Sequence, residues 1–187
     1  HPLRIEQFLM AVFTVIDHTE LGAAAASWTK TSIPSSYDHL YLVASMRCDN
    51  AGISVTGQIQ LNGETAATNY SYTALVAQTA TPTSAQLTSE ATLGYPWMAG
   101  AGALADTFST LTMWIPNYAN TANFKQVLWQ NALENNSTTN SQWGLKINAG
   151  LWSNTDAIDE ILVSPATGWG ADFVQYSTFT LYGVTGA

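Results

Sequence analysis

The stretch "ISVTGQIQLNG", residues 53–63, alternates apolar and polar side chains along most of its length. Its large apolar members are Ile53, Val55, Ile59 and Leu61, and they all share one parity. Successive side chains of a β-strand point to opposite faces of a sheet, so this pattern predicts a strand with one face against a core. The Asn-Gly pair that ends the stretch is a turn signal.

The same period of two recurs in four further segments, "DHLYLVASM", "TLTMWIP", "LKINAGL" and "STFTLYGV". Turn-forming residues separate the segments at short, regular intervals, and no segment has the period of an amphipathic helix. This organisation predicts an all-β fold, a single antiparallel β-sandwich of jelly-roll type. The side chains predicted to face its core are Leu40, Leu42, Ala44 and Met46; Leu111, Met113 and Ile115; Leu145, Ile147 and Leu151; and Phe179 and Leu181.

One region breaks the pattern. Residues 73–108 are rich in small side chains and contain Pro82 and Pro96. We expect this region to form a long connection with one short helical turn.

A chain of 187 residues is long enough for one domain with a real core. We assign residues 12–187 to the β-sandwich domain and residues 1–11 to an N-terminal arm or extension. The arm carries five large apolar side chains, those of Leu3, Ile5, Phe8, Leu9 and Met10. These are too apolar for solvent, which predicts contact with a partner chain; the alternative is that the segment folds back onto its own subunit.

Charge is scarce and one-sided. Only 10% of the residues are charged, and five Lys and Arg against thirteen Asp and Glu give a net charge of −8. Five scattered cations cannot form the basic surface that nucleic acid or an anionic membrane requires, so neither is expected as a partner. A surface built from Ser, Thr, Asn and Gln suits a protein that packs against copies of itself or against another assembly.

The acids of residues 151–165 are the one dense charged cluster. Asp156, Asp159 and Glu160 fall between two strand-like runs, and we interpret them as the solvated end of a hairpin. A cation site or a glycosidase carboxylate pair are the alternatives. The chain has no G-x-S-x-G elbow, phosphate-binding glycine loop or zincin motif, so we predict no enzyme activity and no cofactor. The single cysteine, Cys48, is expected to be a buried apolar residue.

Tryptophan is abundant, with seven in the chain. Trp114 lies between Met113 and Ile115 and therefore points to the opposite face of its strand. Both faces of that strand carry bulky apolar groups, which predicts a strand buried between the core and a neighbouring subunit. Contact of a tryptophan with a glycan is the alternative.

Five segments, taken in order, carry a resemblance to a known group of proteins. They are "SIPSSYDHLYLVASMR", "LNGETAATNYSYT", "MWIPNYANTANFK", "GLWSNTDAIDEILVSPATG" and "STFTLYGV". Together they resemble the β-sandwich virion proteins of tailed phages and prophages, which occur as head decoration (cement) proteins and as tail or fibre domains. The resemblance covers about residues 12–184. The second segment departs from the group's pattern at Glu64 and at Ala66-Ala67.

The resemblance implies a capsid decoration protein that stabilises the outer surface of a phage head as a homotrimer. Its partners would be its sister subunits and the major capsid protein or another virion protein. The alternative it implies is a receptor-binding or tail-fibre tip domain that contacts host surface glycans. Neither role implies catalysis.

Overall fold

A computed structural model describes residues 11–78, 81–136 and 144–186. These ranges contain twelve β-strands and, as their one helical element, a 3-10 turn at Thr167–Trp169. No helix in them is long and apolar enough to cross a membrane. The strands are β1 Val12–Glu20, β2 Trp28–Lys30, β3 His39–Met46, β4 Ser54–Leu61, β5 Tyr70–Ala77, β6 Thr83–Glu90, β7 Trp97–Ala99, β8 Ser109–Pro116, β9 Lys125–Leu133, β10 Gly144–Trp152, β11 Ile161–Pro165 and β12 Thr178–Thr185.

The strands form two antiparallel sheets. The large sheet has the strand order β1-β12-β3-β8-β9-β10-β5-β6, and the small sheet has the order β2-β11-β4-β7. The pairings are nested: β3 pairs with β12, β4 with β11 and β5 with β10, alternating between the sheets. This is the winding of a jelly roll. The predicted single antiparallel β-sandwich of jelly-roll type is therefore confirmed.

The core lies between the sheets and contains most of the side chains predicted for it. Those of β3, β8 and β12 are fully buried, as are Val55, Ile59 and Leu61 of the small sheet. Trp28 of the small sheet stacks on Phe179 of the large one, with ring centroids 5.1 Å apart and planes 5° from parallel. This contact joins the two layers directly.

Strand β10 is the exception, because its apolar side chains face away from the core. Leu145 and Ile147 are exposed and Leu151 is half-buried, whereas Lys146 and Asn148 point inward. The prediction that the apolar set of β10 faces the core is wrong. Of its four described strands, the small sheet supplies only β7 beneath this part of the large sheet, a three-residue edge strand whose Trp97 lies against Lys146.

The connection between β6 and β8 covers the large sheet there instead. Its backbone is held by polar side chains that point inward from β9 and β10. Asn148 Nδ2 and Trp129 Nε1 both donate to the Leu93 carbonyl, each at 3.1 Å, and Asn131 binds the N–H and the carbonyl of Trp97. Inward polar residues are needed here because a covering segment without a sheet partner must find other hydrogen bonds. The prediction of a long connection over residues 73–108 is therefore wrong: this region contains most of β5 and all of β6 and β7, and its described residues form no helical turn.

The acidic segment is not the end of a hairpin. It joins β10 in the large sheet to β11 in the small one, so it crosses between the layers. Asn62 organises it: its Oδ1 accepts the backbone N–H groups of Asp159 and Glu160, and its Nδ2 donates to the Ala157 carbonyl. The interpretation as a hairpin is corrected, whereas Asp156 and Asp159 are exposed as expected.

Candidate functional site: the outer face of the large sheet

The outer face is the side of the large sheet that is turned away from the small sheet. From β12 across to β6, its outward side chains include none from Asp, Glu, Lys or Arg. Strand by strand they are Thr180, Tyr182 and Val184; His39, Tyr41, Val43 and Ser45; Thr110, Thr112 and Trp114; Gln126, Leu128, Gln130 and Ala132; Leu145, Ile147, Ala149 and Leu151; Ser71, Thr73, Leu75 and Ala77; and Ser84, Gln86 and Thr88.

Four aromatic side chains form a row across one end of this face. Tyr182, Tyr41 and Trp114 are direct cross-strand neighbours on β12, β3 and β8. The ring of Tyr41 lies 6.1 Å from that of Trp114 and 6.4 Å from that of Tyr182. Phe13 of β1 adds an edge-on ring 5.9 Å from Tyr41. We call Phe13, Tyr182, Tyr41 and Trp114 the aromatic row.

Aliphatic side chains continue the aromatic row towards β10 and β5. Leu128 is the cross-strand neighbour of Trp114, and Ile147 is that of Leu75. A shallow hollow of about 130 Å³ lies among Tyr41, Trp114, Leu128 and Ile147. The face therefore has both projecting aliphatic groups and a recess beside them.

The aliphatic groups are unusually accessible. Leu128 is 53% exposed, Leu75 52%, Leu145 42% and Ile147 38%. Scattered exposed leucines are normal, but here exposed aliphatic side chains lie beside an aromatic row on a face whose other residues are mostly uncharged Ser, Thr and Gln, and such a grouping marks an interaction site. Such a face can bind an uncharged partner surface through apolar contacts and hydrogen bonds.

The described basic side chains are all engaged elsewhere. Lys30 lies 3.6 Å from Asp17 at the edge of the large sheet, and Arg47 donates to the carbonyls of Leu104 and Thr107. Lys125 and Lys146 lie on the inner side of the large sheet. The outer face is therefore uncharged from β12 to β6, whereas charged groups lie around and beneath it, including Glu20 on the edge strand β1.

Lys146 shows how the inner side accommodates a charge. Its Nζ donates to the Tyr95 carbonyl at 2.8 Å and lies 4.1 Å from the centroid of the Trp97 ring. Burial lowers the pKa of this amine to about 8. The carbonyl and the π-face replace part of the lost hydration.

The residues predicted to contact a partner fall into two groups. Trp114 lies on the outer face as its parity predicted, half-buried, with its ring 5.2 Å from that of His39. His39 Nδ1 accepts the N–H of Asn117. The predicted contacts of the arm lie outside the described residues; they are Leu3, Ile5, Phe8 and Leu9.

Sequence reasoning missed most of the outer face. The period of two in β3 predicts its core-facing side chains and assigns no role to Tyr41 and Val43 on the opposite face, and Leu128 belongs to a strand that the pattern did not identify. The available signal was a strand with large apolar residues on both parities, as in "LYLV" of β3 and "VLW" of β9. That signal was used only for Trp114.

The other candidate chemistry does not come together. Among the described residues, no group of three or more His, Cys, Asp or Glu side chains is placed to hold a metal ion. The burial of Cys48 is confirmed, and that burial raises the pKa of its thiol. A buried, protonated thiol is a poor nucleophile.

Comparison with known proteins adds little to this geometry. No protein-family model and no curated protein sequence matches the chain. A solved structure of peanut lectin with a nine-residue peptide aligns over 97% of this chain and 95% of its own, at 7% sequence identity and a TM-score of 0.23. A likeness that weak carries no conclusion about fold or function.

Proposed function

We propose that this chain is a structural protein of a tailed-phage virion. Of the two roles considered, the favoured one is a capsid decoration (cement) protein held on the outside of the head as a homotrimer. It acts by binding, without catalysis and without a cofactor. The sequence resemblance of the five segments supports the virion assignment. The outer face supports the binding role.

The single observation that carries the proposal is the outer face itself. An acidic chain with a net charge of −8 carries, from β12 to β6, a broad surface of apolar and neutral polar side chains without Asp, Glu, Lys or Arg. Monomers rarely keep exposed apolar patches beyond a few hundred Å², so such a face is expected to be covered in the working assembly. A decoration protein needs binding surfaces of this kind, because many copies each contribute a modest contact to the stability of one shell.

The test is where the protein sits and what it stabilises. Purified protein is added to phage heads that lack decoration, and its distribution is imaged by electron microscopy. The proposal expects regular occupancy over the head lattice in three-fold clusters, and heads that withstand heating or chelators better than bare ones. Binding confined to the tail, or no binding, would contradict the decoration role.

A receptor-binding or tail-fibre tip domain is the second candidate, and the aromatic row favours it. Exposed Trp and Tyr rings can stack on sugar rings while their polar atoms bind hydroxyl groups. Here the expected result is saturable binding of host surface glycans that Trp114→Ala weakens at least tenfold. Unchanged glycan binding in that variant would remove the aromatic row from the role.

A further inference from the structure

We propose that the outer face is covered by the outer faces of sister copies of this chain, so that the three subunits of the homotrimer turn their large sheets towards one shared three-fold axis. This inference deepens the proposed function and rests on it for the homotrimer. It identifies the outer face as the surface through which copies of the chain contact one another. Attachment to the shell then uses other surfaces of the sandwich.

Charge selects a second copy as the occupant. Two copies that each carry a net charge of −8 repel one another over most of their surfaces. The outer face is the broad part of the described surface where they can approach without bringing carboxylates together, since its outward residues from β12 to β6 include no acid. A basic partner would gain nothing from this face, because it offers no carboxylate to pair with. An identical neutral face is the occupant that fits it.

The area is adequate for such a contact. The strands from β12 to β6 span about 29 Å at the usual inter-strand spacing, and eight residues of strand span about 26 Å. The flat area is therefore about 750 Å², against the roughly 800 Å² per partner of a standard stable interface. In a trimer each face is shared between two sister copies, and a buried area of this size on each subunit can hold the oligomer together.

The shape of the face also allows it to pack against copies of itself, because it has both projecting groups and a recess. Leu128 and Leu75 project, and the hollow among Tyr41, Trp114, Leu128 and Ile147 lies beside them. A symmetric contact requires one surface to supply both the projecting group and the recess. Tyr41 and Trp114 of the aromatic row line this hollow, and aromatic side chains within a contact supply much of its binding energy.

The experiment introduces opposite charges at one exposed position of the face. Leu128→Lys and Leu128→Glu are each made in the full chain, and their mass in solution is measured by analytical ultracentrifugation, alone and as an equimolar mixture. Leu104→Lys is the matched control, because Leu104 is similarly exposed but lies in the loop between β7 and β8, away from the face. Thermal unfolding of each variant checks that it folds.

The inference expects an oligomer for the native chain and for Leu104→Lys, monomers for each Leu128 variant alone, and an oligomer containing both variants in the mixture. A native chain that stays monomeric at micromolar concentration would overturn it. Leu128 variants that still assemble would overturn it as well. Monomeric variants that fail to combine would show that the face meets a different surface, which also refutes the face-to-face contact.

A separate measurement distinguishes this failure from failure of the proposed function. The same variants are added to undecorated heads. Heads that bind a monomeric native chain would retain the decoration role while refuting the face-to-face contact. An oligomer that meets through the outer face but binds no phage particle would do the reverse.

Discussion

Asn131 should be among the most important single side chains for stability. It is buried, and its amide faces the backbone of Trp97 at the free edge of the small sheet. Its Oδ1 accepts the Trp97 N–H at 2.7 Å, and its Nδ2 donates to the Trp97 carbonyl at 2.9 Å and to the carbonyl of Thr110. The side chain therefore takes the place that another strand would occupy beside β7.

Asn131→Leu keeps the volume but removes these hydrogen bonds. A buried backbone group left without a partner costs about 1–3 kcal/mol. With the N–H and carbonyl of Trp97 both affected, the expected loss of unfolding free energy is about 3 kcal/mol. For a domain of this size that corresponds to a fall in Tm of about 6–12 °C.

The measurement is urea unfolding followed by tryptophan fluorescence, with Gln126→Leu as the control. Gln126 lies on the same strand but points to the outer face, so its replacement should change the unfolding free energy by less than about 0.5 kcal/mol. If the unfolding free energy of Asn131→Leu lies within 1 kcal/mol of that of the native chain, the argument that this amide completes the edge of β7 is refuted.

Three further predictions concern other parts of the molecule. The amine of Lys146 has a folded-state pKa of about 8 against an ordinary 10.5, so the unfolded chain binds more protons between those values. The unfolding free energy should therefore rise as pH rises from 8 to 10.5. In Lys146→Met this rise should be absent when denaturant titrations are repeated across that range. The same pH dependence in the variant as in the native chain would show that Lys146 is not its source. Replacing Asp156, Asp159 and Glu160 together by Asn, Asn and Gln should change the unfolding free energy by only about 0.5 kcal/mol, because Asn62 binds backbone N–H groups there and needs no carboxylate. Loss of a measurable glycan-cleaving activity in that triple variant would overturn the non-enzymatic role. Deleting residues 1–9 should leave cooperative unfolding intact but weaken assembly, as measured by particle occupancy; unchanged occupancy would show that the arm is not a partner contact.

The sequence predicted the strands that are buried on one face between the two sheets. In β3, β8 and β12 the inward positions are apolar and fully buried, because both sheets are present there and every inward side chain meets another apolar one. A period of two in the apolar residues then indicates which side chains of the strand are buried.

Prediction from the sequence failed where the large sheet extends beyond the narrower small sheet. In β10 the same period is present, but the inward side belongs to Lys146 and Asn148, because an irregular segment lies beneath it. Strand β6 was missed because both of its faces are exposed, so it carries no alternation to detect. The width of the small sheet and the path of the connection depend on how the whole chain folds, so neither can be predicted from a short segment of sequence.

The nested pairing of the strands governs when the outer face can exist. β12 lies between β1 and β3, so the aromatic row is assembled from residues at opposite ends of the domain, Phe13 and Tyr182 among them. During synthesis the early strands leave the ribosome long before the strand that joins them. Pairing of this kind is slow, since distant segments must find one another before either is stabilised. A nascent chain that has not yet released β12 therefore cannot present the completed face.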